Sequence, residues 1–296
     1  MTNNRISTSY QYTAYSSQIQ AALQRMSVLQ NQVSTGHKFD NMRDDPIGAA
    51  TVLSAHSLQS RYAQFDANLR IAKEYLGASD QAMGDVNDLV NNGSSLALQG
   101  ANAATDTATR ASLAQQAAEL QKRLVLIANT QGTDDKYMFA GQALKTKPFS
   151  AANGTLTTVG DDNPILVETR PGEKMQVNLV NGSQVFTDTY NKLETLRKNL
   201  TSGDASALQT SISDFKKSST DIIGLRGDAG TKMQTVNKLS EDNLRRIDDL
   251  TKQASDAQDV DLAETLTKYQ SAQLGYQASL QVIASANKFS LLDFLR

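Results

Sequence analysis

The sequence predicts a mainly α protein: an elongated antiparallel helical bundle or coiled coil from both chain ends, with a small β-rich insert in the middle. Three observations predict it. The chain has only four prolines, Pro46, Pro148, Pro164 and Pro171, and three of them share one short window, leaving long proline-free arms on either side. Proline removes a donor and clashes with the preceding turn, so helix interiors exclude it. Along both arms, apolar residues recur at alternating intervals of three and four, the seam of a coiled coil. Between the arms the period drops to two, and Asn-Gly pairs appear.

Segment by segment, the chain reads as an N-terminal helix and connector (1–47), the first part of a helical rod (48–136), the β-rich insert (137–186), the second part of the rod (187–258) and a C-terminal helix (259–296). In the first segment Tyr12, Tyr15, Ile19, Ala22, Met26, Leu29 and Val33 form a heptad stripe. Gly36 suits the left-handed stop of that helix. Asp45 suits an N-cap and Pro46 the first helical position of the next, so Gly36–Pro46, with Arg43 and Asp44, is a cap-to-cap connector. Leu58, Tyr62, Phe65, Leu69, Ala72, Leu76, Ser79, Met83, Val86 and Val90 continue the repeat, and Leu113, Ala117, Leu120, Leu124 and Ile127 form a third stripe. A helix from Gly48 to Val90 is roughly 65 Å long at about 1.5 Å per residue. A compact globule of this length has a radius of gyration of about 19 Å, so a rod is expected.

In the insert, Tyr137–Gly141 opens a run of short strands expected at Thr155–Val159, Ile165–Thr169, Met175–Val180 and Gln184–Phe186. Asn153-Gly154 and Asn181-Gly182 supply the positive φ of tight hairpin turns. So small an insert is expected to pack on the tip of the helices. Beyond it, Leu208, Ile212, Phe215, Ser219 and Ile222 resume the seam, which runs less cleanly through Ala229, Met233, Val236, Ile247 and Leu250. The last stripe is Leu262, Leu266, Tyr269, Gln273, Tyr276, Leu280 and Ile283.

Composition narrows the function. The 296 residues carry 29 Lys+Arg against 31 Asp+Glu, a net charge of −2, which argues against a nucleic-acid binder working by counterion release. There is no cysteine, so disulfides, thiolate metal sites and cysteine nucleophiles are excluded. The mean hydropathy is −0.43; no stretch has the apolar length to span a bilayer, and the start lacks the pattern of a secretory signal. His37 and His56, the two histidines, have no partners at metal-ligand spacing and read as surface residues. Asp44-Asp45 reads as a cap rather than a metal site. Arg226-Gly227-Asp228 matches an adhesion tripeptide but falls in a helical register, and the sequons at Asn92, Asn153, Asn181 and Asn199 are inexpensive coincidences of turn and polar residues. No catalytic, cofactor-binding or metal-binding residues are expected, and no cofactor.

The chain ends are more informative. The tail Phe289–Arg296, with Leu291, Leu292 and Phe294, is apolar, and an apolar terminus needs a covering surface. With the stripes of Tyr12–Val33 and Leu262–Ile283, it predicts that the two ends pair as antiparallel helices and bury their remaining apolar edges against other subunits. The expected assembly interface is Tyr12, Tyr15, Ile19, Met26, Leu29, Val33, Leu266, Tyr269, Tyr276, Leu280, Ile283, Leu291, Leu292 and Phe294.

A resemblance rests on an ordered set of motifs: Arg5-Ile-Ser-Thr8, Gln32-Val-Ser-Thr-Gly36, Asp44-Asp-Pro-Ile-Gly-Ala-Ala50, Leu96-Ala-Leu-Gln-Gly-Ala-Asn102, Tyr137-Met-Phe-Ala-Gly141 and the tail Ser285–Leu295. The set resembles the flagellin superfamily over both arms, about two-thirds of the chain. Tyr-Met-Phe-Ala-Gly before a small insert, Asp-Asp-Pro, and the Leu-Leu-Asp-Phe-Leu tail are more similar to its hook–filament junction branch than to filament flagellins. Thr2-Asn3-Asn4 depart from that branch by preceding Arg-Ile-Ser-Thr. The resemblance implies a non-enzymatic structural protein of the bacterial flagellum. It would be exported by the flagellar type III apparatus without a cleaved signal and assemble as a ring between the first hook-associated protein and flagellin. It also implies a filament cap protein as a partner during assembly, a cytoplasmic export chaperone on the apolar C-terminal segment, and extracellular location. Two other classes remain: a filament-forming flagellin, and a coiled-coil adhesin.

Overall fold

The structure, a computed structural model, describes residues 8–102, 105–132, 135–161, 163–179 and 182–294. In chain order the elements are α1 (Thr8–Thr35), α2 (Pro46–Ala101), α3 (Thr107–Ala128), β1 (Phe149–Ala152), β2 (Thr155–Thr158), β3 (Leu166–Arg170), β4 (Glu173–Gln176), α4 (Gly182–Ser202), α5 (Ala205–Gln258) and α6 (Leu262–Phe294). Two compact units form: the chain ends, Met1–Ser60 with Ile247–Arg296, and the central stretch Arg61–Arg246.

Aspartates start the long helices. Asp45, Asp106, Asp204 and Asp261 each accept backbone N–H bonds from the first turns of α2, α3, α5 and α6. Those N–H groups have no partner inside the helix, and the cap satisfies them.

In the central unit, α2 buries Leu69, Leu76, Met83, Val90 and Ala97 at seven-residue intervals, with Ala72, Ser79 and Val86 between them. From Phe65 to Val90 this is the stripe read from the sequence, whereas Leu58, with which that stripe began, is exposed. Along α5 the buried row is Leu208, Phe215, Ile222, Ala229, Val236 and Asn243, an unbroken heptad repeat, with Ser211 and Ser218 buried beside it and the expected Ile212 and Ser219 half-buried at its border, Ile212 packed on the core. The two serine hydroxyls accept hydrogen bonds from side chains at 192–199, Ser218 from Lys192 at 2.5 Å and Ser211 from Asn199 at 3.2 Å. Within this unit polar pairs join α2 and α5: Asp66 with Ser240 at 2.6 Å, Asp80 with Arg226 at 2.8 Å and Asn87 with Ser219 at 2.7 Å. Each step forward on α2 matches an equal step back on α5, so the helices are antiparallel in one fixed register. Arg226-Gly227-Asp228 lies inside α5, with Arg226 held by Asp80.

α3 and α4 complete this core with Leu113, Ala117, Leu124, Phe186, Leu193 and Leu196. Between them sits Glu194, 8% exposed, accepting two bonds from Arg197 at 2.8 and 2.7 Å and one from Gln121 of α3 at 3.3 Å. The Arg197 bonds are the main reason its carboxyl falls from 4.5 to about 2, helped by Gln121 and Lys198 against the opposing effect of burial. A carboxylate with a lowered folded-state pKa contributes stability in full above its unfolded value. It loses that contribution as pH falls from about 4.5 through about 2. At about 1.4 kcal/mol per pKa unit, Glu194→Gln should cost about 3–4 kcal/mol at pH 7. In urea titrations the gap to wild type should shrink on acidification to pH 2.5; a gap independent of pH would refute this role.

The insert consists of two antiparallel hairpins, β1–β2 and β3–β4. Asn153 and Gly154 take positive φ at the first turn, as expected. Other expectations are corrected. Gln184–Phe186 is not a strand but part of α4, because Phe186, Tyr190, Leu193 and Leu200 share one helical face that is buried along its length. Gly182 is accordingly the first residue of α4 rather than a hairpin residue; Asn181 lies outside the described residues. The strand expected at Met175–Val180 ends at Gln176. Tyr137 makes only a bridge to Gln131 before the chain turns. The insert does not sit on the tip of the helices. Asn129, at the end of α3, exchanges bonds with the backbone of Phe149, and Phe149 and Phe139 each pack edge-on against Phe186. The second hairpin lies along the shafts of α2 and α5, where Asn68 donates to the Glu168 carbonyl at 2.8 Å and Arg170 pairs with Asp242 at 2.9 Å. Apolar area decides this, since docking the hairpins merges Phe149, Leu156 and Val177 into the main core.

Candidate assembly interface

The connector after α1 is built as its caps predict, and its partners come from the far end of the chain. Gly36 ends α1 with φ +76° and its N–H on Gln32 O at 2.9 Å. Asp45 caps α2 through its carboxylate to the N–H groups of Ile47 and Gly48. Between these points the backbone pairs with the α5–α6 link: Val260 N donates to Gly36 O at 2.9 Å, Lys38 N to Gln258 O at 2.6 Å, and Lys38 Nζ to Asp256 O at 2.6 Å. His37, its side chain 41% exposed, lies 3.7 Å from the Asp259 carboxylate and 3.2 Å from Gln258, so this surface histidine has partners that are remote in sequence. Phe39 is buried with Ala49, Val52 and Ala257. Arg43 and Asp44 are exposed. Among the described residues, no group of three His, Cys, Asp or Glu is placed to hold a metal ion, and no helix is long and apolar enough to cross a membrane.

Gly48 lies under this loop. A Cβ there would stand 2.5 Å from the Asp45 carboxylate and 2.7 Å from the Phe39 ring. Gly48→Ala must therefore displace the cap or the ring, at a cost of about 1–3 kcal/mol. Faster amide exchange at Ile47–Ala49 should report it; unchanged exchange would show that the loop tolerates the methyl.

α1 and α6 pack against each other in the terminal unit. The inward positions of α1 are Tyr15, Ile19, Ala22, Met26, Leu29 and Val33, each only half-buried. Those of α6 are Thr265, Tyr269, Ala272, Tyr276, Ser279 and Ile283. The sequence stripe shared Tyr269, Tyr276 and Ile283 with this face but placed Leu262, Leu266, Gln273 and Leu280 in the seam, and these four are exposed instead. Small Thr265, Ala272 and Ser279 take the inner places, as close helix approach favours, and the leucines turn outward. Leu262, Leu266, Leu274, Leu280 and Val282 of α6, with Leu23 and Val28 of α1, form a large exposed apolar set. Leu291, Leu292 and Phe294 fall within α6, but their side chains, like that of Tyr12, lie outside the described residues. An open groove of about 590 Å³ runs between the helices, lined by Ala22, Leu29, Ala272, Gly275 and Tyr276 among others. Two helices alone leave this seam only partly covered.

Comparison with known proteins follows the same division of the chain. The family described as bacterial flagellin N-terminal helical region matches residues 6–143, and that described as bacterial flagellin C-terminal helical region matches residues 212–295. A protein of Escherichia coli (strain K12) named flagellar hook-associated protein 3 is 24% identical over 287 residues, covering 88% of this chain and 90% of that protein. Its namesake from Salmonella typhimurium is 22% identical over 316 residues, covering 99% of this chain and 100% of that protein. Among solved structures, a putative flagellar hook-associated protein from Vibrio parahaemolyticus shares the fold with TM-score 0.65 at 16% identity, covering 73% of this chain and 100% of the other. The flagellar junction protein FlgL from Legionella pneumophila gives TM-score 0.50 at 12% identity, covering 70% of this chain and 100% of the other. With the two flagellin regions matching about three quarters of its length in the family's order, the chain belongs to the flagellin superfamily.

Proposed function

We propose that this chain is a structural protein of the bacterial flagellum that forms the junction between hook and filament. The observation that carries the reading is the alignment with proteins named flagellar hook-associated protein 3, which runs through 99% of this chain in one case. The half-buried α1–α6 seam supports it, because two helices with this much uncovered apolar surface suit a polymer whose subunits complete each other's core. In this reading the chain forms a ring between the first hook-associated protein and flagellin. Its terminal helices stack on the layer below and receive the filament above, with the filament cap protein present during assembly. Export proceeds unfolded through the type III apparatus, with a cytoplasmic chaperone on the apolar C-terminal segment until then.

Gene deletion, with electron microscopy of the cells and a flagellin assay of the medium, tests this. Hooks without filaments, with flagellin shed into the medium, are expected. Hooks without filaments and no shed flagellin would identify this chain as the filament protein itself. Intact flagella would refute both.

A further inference from the structure

We propose that the outer half of the β3–β4 hairpin, residues 168–174, is a strap that lifts off the α2–α5 pair while the base of the hairpin stays anchored. Apolar burial and backbone bonds hold the base. Val177 is 0% exposed within the main core, and half-buried Ile165, Val167 and Met175 pack on that core. Val177 N donates to Ile165 O at 3.0 Å, and Ile165 N to Asn178 Oδ1 at 2.9 Å. The outer half rests on polar groups instead. Its register slips by one residue between Glu168 and Arg170, which leaves Thr169 as the extra residue of a bulge. A bulge re-aims the side chain it carries, and Thr169 is 0% exposed. Asn68 on the Glu168 carbonyl and Asp242 on Arg170 bond this half to the helices.

Release leaves the Asp242 carboxylate paired and relieves a buried amide. Asp242 also pairs with Arg245 one turn along α5, so it keeps a cation when Arg170 leaves. The Arg170 and Asp242 side chains are 41% and 32% exposed, and an ion pair so near water contributes little. Within the strap, Gly172 N donates to Glu168 Oε1 at 3.1 Å and Thr169 Oγ1 to Glu173 O at 3.4 Å; these bonds travel with it. Next to Asp242, Asn243 is 1% exposed, and its Nδ2 finds no hydrogen-bond partner among the described residues. A donor buried in that state costs free energy that contact with water removes. α4 meets α5 through Lys192–Ser218 and Asn199–Ser211, a register that brings the first residue of α4 level with Asp228. Farther along, α5 is bonded to α2 at Ser240 and to the hairpin at Asp242, so these two elements are left to enclose Asn243. Lifting the strap opens one of its two walls.

The chain has no cysteine, so one introduced thiol reports the opening. Thr169→Cys and Val177→Cys place it at two equally buried positions of the same hairpin, where iodoacetamide reaches the thiolate only after an opening. Normalised to its rate in denaturant, Thr169→Cys in the full chain should be alkylated at least about tenfold faster than Val177→Cys, because the strap opens without the base. Equal normalised rates would overturn the proposal. Added to Thr169→Cys, Arg170→Ala should speed alkylation and Asn243→Leu should slow it, each by about threefold or more; a rate that neither change moves would also overturn it. Where a cysteine variant melts below wild type, hydrogen exchange of the unsubstituted chain decides. A lone hairpin is marginally stable once undocked, so amides of residues 168–174 should exchange ahead of those of β1–β2. Exchange of the two hairpins in step would refute the strap.

Discussion

A chain carrying Leu280→Asp should fold as well as wild type and fail to assemble. Leu280 is 41% exposed on α6, so the isolated subunit loses little by the change. In an assembly that covers it, the leucine contributes about 1.5–3 kcal/mol, and an unpaired carboxylate in its place costs more than the leucine contributed. That penalty recurs at every subunit of a ring. Ile283→Asp differs instructively: Ile283 is half-buried in the α1–α6 seam, so this variant should weaken the helix pair in the free subunit as well. In deletion cells complemented with either variant, hooks should lack filaments and flagellin should accumulate in the medium. Circular dichroism melting should separate the two, with Leu280→Asp unchanged. Normal filament numbers with Leu280→Asp would remove this position from the interface.

Gly141→Ala should be the most damaging glycine substitution in the insert. Gly141 has φ +61°, and a Cβ there would lie 1.9 Å from Asp161 Oδ1 and 2.1 Å from the Asp161 carbonyl oxygen. Backbone cannot rotate aside as a flexible side chain can. The Asp161 carboxylate also accepts the N–H groups of Gln142 and Asn163, which hold its carboxyl below the usual range. The left-handed conformation costs about 1–2 kcal/mol for alanine. With the displaced loop, the total should reach about 3–4 kcal/mol. Gly172→Ala is the control: φ is +76° but nothing lies within 4 Å, so only the conformational cost applies. Urea denaturation should rank the two variants in that order, and equal effects would refute the steric argument. The closing glycine of Tyr137-Met-Phe-Ala-Gly141 is thus explained by a contact twenty residues away.

What the sequence revealed follows the range of the forces involved. Gly36, Asp45 and Pro46 were legible because a helix stop or cap is decided within a few residues. The α2 stripe was legible because its apolar residues meet apolar neighbours along the whole core. α6 was harder. Two stripes sharing Tyr269, Tyr276 and Ile283 satisfy the same spacing, and choosing the larger side chains selected the outward leucines, which are exposed. Gln184–Phe186 looked like a strand because three residues cannot show a helical period that becomes plain only by Leu193. The pairing of His37 and Lys38 with Gln258 and Asp259 was beyond reach, since nothing local marks backbone groups more than two hundred residues apart as partners.

The ladder of Asp66, Asp80 and Asn87 against Ser240, Arg226 and Ser219 has a mechanical consequence. The seven-residue repeat makes the next equivalent register on either helix about 10 Å away, and any slip short of it parts the three pairs. Axial shear between α2 and α5 must therefore break all three pairs and unseat the seam together, instead of creeping one contact at a time. The helix pair behaves as a keyed shaft, and a load applied to one helix reaches the other without slip.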